Sequence, residues 1–331
     1  MDILTLLFRK QQNFMLKIKK DKILLFLKAT IALIILFFIA KYIKSNSNSL
    51  KEFKFQINYY YLIISSIILI LYIFNQFVLW YYITKLNKCN LSFSTSIISR
   101  AYSEFGKYVP GKVFGYAMLF YVYSKENKSK VQLTFSMFFE LLSSVLAAAL
   151  IFLFSIFFTD IHEFQKYRLV SLILLVVFFI VIHPKILNYF SAIFFRITKR
   201  EPVNLSLSYL QIIKLISLYV VNFMLFGVAF VLFIKSIYSI SFSDYLFITG
   251  TTAAAGLIGL FAIFVPAGLG VREGVLVFTL SFIMPPALAG IIALTSRLWL
   301  TFAEVFLFGL IFGFSKLKPN KIFVPYKDNP E

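Results

Sequence analysis

Cysteine is almost missing from this chain. Cys89 is the only one in 331 residues, so no intrachain disulfide and no cysteine-rich metal site can form. Histidine is nearly as scarce, with only His162 and His183, which excludes a histidine-rich metal centre. No cofactor or bound metal is therefore expected. Charge is thin as well: Asp, Glu, Lys and Arg together make up 14% of residues, and only 14 of them are acidic. No Gly-x-x-x-x-Gly-Lys-Ser/Thr run occurs, so any use of ATP would depend on a partner.

What fills the chain instead is apolar. Sixty per cent of residues are hydrophobic and the mean hydropathy is +0.86, more apolar surface than a soluble domain of this size can bury. The expected fold class is all-α: a polytopic helical membrane protein with about eight transmembrane helices and one or two re-entrant or broken Pro-Gly hairpins. The net charge of +19 invites a nucleic-acid reading. That reading is rejected because the cations sit at the ends of apolar runs, where the positive-inside rule puts them.

A bilayer core needs about 20 apolar residues per helix. Eight stretches qualify, at roughly 23–43, 59–84, 131–158, 168–184, 209–235, 245–265, 268–284 and 287–314. The sixth and seventh can alternatively be two arms of one re-entrant hairpin around Pro266. Loops rich in Lys and Arg alternate with poor ones, which predicts a multi-pass protein of the cytoplasmic membrane with both termini in the cytoplasm. Residues 1–22 read as a basic amphipathic helix on that face rather than a cleavable signal. Residues 23–314 form a single transmembrane domain, and 315–331 a basic, disordered cytoplasmic tail.

Two interruptions stand out. The first runs from Phe264 to Gly274 and carries Pro266, Gly268, Gly270, Arg272 and Glu273 inside an apolar stretch. Freed backbone groups and charges at membrane depth must face protein or water. Gly268 and Gly270 permit a tight turn, after which Val271 to Ile283 reads as a new helix. Glu273 suits the positive end of that helix, whereas Arg272 makes electrostatic sense there if an anion such as a phosphate docks beside it. The alternative is that Arg272 snorkels to the headgroups while Glu273 only caps.

The second interruption, Phe105 to Gly115, places Pro110 and Gly111 before a short apolar helix opening with Lys112. The segment from Leu91 to Tyr123 reads as an amphipathic helix near 92–107, a break, and a short second helix. It either dips into the membrane from the cytoplasmic side or lies flat on the headgroups. Paired Gly/Pro-interrupted segments point to a substrate site between two halves of a transporter-like chain, possible distant repeats about Pro110 and Pro266.

Three further charges fall inside apolar runs: Glu140, Arg297 and Glu304. A central charge costs roughly 2.5 to 3.5 kcal/mol, so each needs a partner or a wet cavity. Arg297 is expected to pair with Glu140 or Glu273. These charges either bind a lipid headgroup or serve only as ion pairs that fix helix register. Asn75, Asn222 and Lys28 are lesser candidates.

These motifs carry a family likeness. Lys107-Tyr108-Val109-Pro110-Gly111-Lys112-Val113, then Glu140, then Pro266 through Gly274, then Arg297 resemble the lysylphosphatidylglycerol synthase/flippase transmembrane domain family in order and spacing. The resemblance implies an integral membrane domain that moves a lipid or a lipid-linked sugar between leaflets, standing alone without a synthase domain. It further implies a place in cell-envelope glycolipid or polysaccharide assembly.

The leading expectation is thus a translocase rather than an enzyme. Lys112, Arg272 and Arg297 would neutralise a lipid phosphate, while Glu140, Glu273 and Glu304 balance charge or hold a cationic or hydroxylated headgroup. Its partners would be membrane lipids or a lipid-linked glycan, and glycan-assembly enzymes, with no nucleic acid. The rivals are a membrane-embedded transferase, for which Asp160, His162 and Glu163 are the best metal-binding residues on offer, and a non-transporting scaffold for glycan-assembly enzymes.

Overall fold

The computed structural model describes residues 56–106, 113–181, 208–262 and 268–317, with Val265 and scattered positions in 37–44 and 183–196. Lys112, Pro110, Gly111, Pro266, Lys28 and both terminal segments lie outside the described residues. Among the described residues ten helices can be delimited: α1 Tyr59–Leu86, α2 Phe93–Phe105, α3 Val113–Lys125, α4 Lys130–Phe158, α5 His162–Gln165, α6 Arg168–Val181, α7 Tyr209–Lys235, α8 Asp244–Phe261, α9 Val271–Leu280 and α10 Pro286–Leu317. The described residues contain no strand.

Local chemistry sets several of the starts. Asn58 Oδ1 accepts from the Tyr60 and Tyr61 amides at the head of α1, and Ser92 Oγ accepts from Thr95 N at the head of α2. Ser129 does the same for α4. Ser208 and Gln211 cap α7 reciprocally, with Ser208 Oγ accepting from Gln211 N and Gln211 Oε1 from Ser208 N. Pro286 opens α10, where its missing N–H leaves no helical bond unmade.

Among the described residues five helices, α1, α4, α7, α8 and α10, are long and apolar enough to cross a membrane. This is a multi-pass integral membrane protein. Of the eight expected spans, the first falls outside the described residues, and 168–184 is realised as the 14-residue α6. The expected span at 268–284 is corrected. It is the 10-residue α9, about 15 Å long at the usual helical rise and so half a crossing. Glycines at 268 and 270, together with the turn at 281–284, bound α9, which packs against α8.

Packing follows membrane rules. α1 runs against α7, joined at one end by Asn58 N donating to Ser236 O at 2.8 Å. α8 packs between α4, α7 and α9, and α10 closes on α9 and α1. The main core joins Leu69, Phe230, Ile234, Leu276 and Ile292 with Trp299, which stacks on Phe233 at 4.6 Å and donates to Ser66 Oγ at 3.0 Å. Small residues let the backbones approach: a Cβ at Gly227 would run into the Thr249 side chain, and one at Gly250 into Ser155. Outward faces are apolar, as on α10, where Leu298, Phe302, Phe306, Leu310 and Phe314 form one exposed stripe.

The two short helices α2 and α3 pack on each other, and α2 also packs on α1 and α10. Ser96, Ser99, Ala101, Ile97 and Ile98 are buried in these contacts. Trp80 of α1 is fully enclosed and donates from Nε1 to the Tyr123 hydroxyl of α3 at 3.0 Å. The described parts of the 91–123 segment are thus packed against α1 and α10.

Candidate functional site

The Gly-rich break is built by two left-handed glycines. Gly268 has φ +67° and Gly270 φ +82°, conformations that L side chains rarely adopt. Gly268 also presses on α8, because a Cβ there would sit 2.8 Å from Gly259 O and 2.9 Å from Gly259 Cα. The turn is thus welded to α8 by two glycines, and it aims the start of α9 into the helical body.

Glu273, 2% exposed, uses both carboxylate oxygens. Oε2 accepts from Gly270 N at 2.6 Å, closing the first turn of α9, and Oε1 faces Arg297 Nη1 of α10 at 3.6 Å. The choice left open for Arg297 resolves to Glu273. One carboxylate therefore satisfies an orphan helix-start amide and a cation on a neighbouring helix.

Arg272 differs. Its Cβ passes 3.4 Å from the Cβ position of Gly259, and its guanidinium lies over the Phe226 ring of α7, 5.7 Å from the centroid. It makes no ion pair or hydrogen bond with a described residue, so its five donors are uncommitted. Glu304 lies two turns beyond Arg297 on α10.

Glu140 belongs to a second cluster. Its partner is Arg100 of α2, with Nη2 donating to Oε1 at 2.7 Å, and the same Nη2 lies 3.5 Å from Glu104 Oε2. Pairing of Glu140 with Arg297 is corrected by this geometry. Arg100 sits on a helix whose neighbours Ile97 and Ala101 are buried, so its side chain is carried inward, where its Cζ lies 5.4 Å from the Trp80 ring centroid. Glu104 is an i,i+4 partner of Arg100. The sequence signal that could have found Arg100 was that spacing on an amphipathic helix.

Asn75 and Asn222 hold each other, Nδ2 to Oδ1 at 2.9 Å, between α1 and α7. Asp160 lies 3.4 Å from Arg168 Nη2, with both side chains largely in the open. Among the described residues no three His, Cys, Asp or Glu side chains come together in a way that could hold a metal. Gly259, Tyr219 and Tyr72, which the sequence reading passed over, prove to line the two charged clusters.

A family model described as the lysylphosphatidylglycerol synthase TM region matches residues 24–309. No curated protein sequence shows significant similarity to the chain.

Proposed function

The chain belongs to the lysylphosphatidylglycerol synthase transmembrane-region family, and on that premise we propose that it binds the headgroup of a phospholipid or lipid-linked glycan and carries it between leaflets. The observation that carries the reading is the uncommitted Arg272 guanidinium at the start of α9. Arg297 is already tied to Glu273, and Glu273 to Gly270 N, so Arg272 is the fork left to take a phosphate.

The mechanism needs no covalent chemistry, and the protein acts here as a carrier rather than an enzyme. Acyl tails stay in the bilayer while the headgroup crosses beside the broken α8–α9 hairpin. The absence of a side chain at Gly259 leaves space for the Arg272 stem. Irregular backbone at membrane depth is tolerated where it lines such a path. In the proposed orientation both termini are cytoplasmic and the protein lies in the cytoplasmic membrane, working alongside cell-envelope glycan-assembly enzymes.

The test is reconstitution into vesicles with a fluorescent-headgroup phospholipid, following leaflet exchange by dithionite quenching, for wild type and Arg272→Gln. Exchange above that of empty vesicles in the wild type and lost in the variant supports the proposal. Equal exchange in both, or none above background in the wild type with a panel of anionic lipids, overturns it.

A further inference from the structure

The Arg100–Glu140 cluster holds more hydrogen-bonding capacity than its ion pair uses. Arg100 Nε is fully enclosed and has no hydrogen-bond partner among the described residues. Tyr219 of α7 is 4% exposed, and its hydroxyl is likewise unpartnered. Tyr219 packs in one buried cluster with Phe135 and Phe139 of α4, the latter the residue before Glu140. Glu140 accepts through Oε1 alone, leaving Oε2 without a donor among the described residues. Buried polar groups are satisfied in all but a few cases, so two enclosed donors beside an open carboxylate oxygen call for a ligand.

The chemistry of that ligand is constrained. An ammonium group could meet Glu140 Oε2, but it would leave Arg100 Nε unmet and stand against a guanidinium. A second phosphate or carboxylate could meet the donors, but it would bring its charge against Glu140. A neutral hydroxyl donates to Oε2 and has two lone pairs to accept from both Arg100 Nε and the Tyr219 hydroxyl, so it serves all three.

This cluster is continuous with the Arg272 site. Tyr219, Asn222 and Phe226 fall on one face of α7, spanning seven residues or about 10 Å of helix. Tyr72 of α1 packs on Phe226, the ring beneath Arg272, with centroids 4.9 Å apart. The Asn75–Asn222 hydrogen bond lies along the same seam. That span is longer than a glycerol headgroup and suits a ring.

We infer that the two clusters are subsites of one headgroup track, Arg272 taking the phosphate and Glu140, Arg100 and Tyr219 taking the hydroxyls of a sugar or inositol ring attached to it. The inference rests on the headgroup-binding reading above and specifies its substrate class: a neutral ring polyol on a lipid phosphate, rather than an aminoacylated, cationic headgroup.

The experiment is native mass spectrometry of the full-length protein in nanodiscs containing equal phosphatidylinositol and phosphatidic acid, for wild type, Tyr219→Phe and Arg272→Gln. Tyr219→Phe removes one hydroxyl and keeps the ring, so the packing survives; thermal unfolding of each variant confirms it. Wild type should retain phosphatidylinositol over phosphatidic acid by about five- to tenfold, the worth of one good hydrogen bond. Tyr219→Phe should bring the ratio close to one with phosphatidic acid retention unchanged, and Arg272→Gln should lower both lipids. No preference in the wild type, as when water alone meets these groups, or an undiminished preference in Tyr219→Phe, overturns the two-subsite track while Arg272 can still hold the phosphate. If Arg272→Gln also retains both lipids in full, the headgroup reading itself falls.

Discussion

Replacing Gly268 with alanine probes the turn on which the site depends. Two costs add at this position. The backbone at φ +67° is one that an L residue enters at about 1 to 2 kcal/mol. The new methyl would lie 2.8 to 3.0 Å from Gly259 O, Cα and C, which are backbone atoms of α8 and cannot rotate away. Overpacking of that kind costs about 1 to 3 kcal/mol, so the sum is about 2 to 5 kcal/mol. Gly274, six residues on, is the control: it is helical, and a Cβ there meets nothing within 4 Å. Gly274→Ala should be neutral or stabilise by about 0.5 to 1 kcal/mol, since alanine loses less backbone freedom in a helix. Thermal unfolding in detergent, followed by intrinsic fluorescence, compares the two. Gly268→Ala should unfold several degrees below wild type and Gly274→Ala at or above it, and because the α8 contact also seats Arg272, only the former should release bound lipid. Equal melting temperatures for the two variants would refute the close approach of Gly268 to Gly259 on which the site is built.

Other perturbations test neighbouring parts of the argument. Glu140→Ala leaves the Arg100 guanidinium, 15% exposed, without its nearest partner, and should destabilise by about 3 kcal/mol; a double variant, Arg100→Met/Glu140→Met, should recover most of that, and a double-mutant cycle with no coupling would contradict the pairing. Asn222→Ala should cost about 1 kcal/mol by stranding Asn75 between α1 and α7. Here Asn75→Leu/Asn222→Leu is the check, since a neutral double change identifies the loss as an unmet amide. Cys89 is buried against the Ser129 carbonyl, and burial pushes its thiol up to about 11, with Lys128 pulling weakly the other way. Maleimide should not label it in the folded protein near neutral pH but should do so in denaturant, and rapid native labelling would contradict its burial. Because the folded thiol ionises later than the unfolded one, its contribution to stability is full below about pH 9 and is lost as pH rises towards 11. A pH series of unfolding for wild type against Cys89→Ala isolates that contribution.

How far each feature could be read beforehand depends on the distance over which it is decided. Caps at Ser92, Ser129 and Ser208 involve residues three apart, so local order suffices to find them. The break at 264–274 announces itself because glycines and opposite charges interrupt an apolar run within a few positions, and Glu273 capping its own helix is equally local. Arg100 is harder to read, because several Lys lie near it in sequence and nothing local marks the one cation that turns inward. Tyr219 gives no local signal at all, being one aromatic among 19 tyrosines.

The sequence by itself determined that the chain is helical, crosses a membrane several times and is broken at a glycine-rich charged turn. It could do so because hydropathy, capping and turn conformation act within a few residues. Only the tertiary structure decided that Arg297 goes to Glu273 and Arg100 to Glu140, that α9 stops after 10 residues, and that Arg272 is left uncommitted over Phe226. Partner choice among a handful of buried charges depends on which helices lie side by side. That is set by the close approaches at Gly227, Gly250, Gly259 and Gly268, where the packing of whole helices, rather than any neighbour in sequence, determines which charges meet.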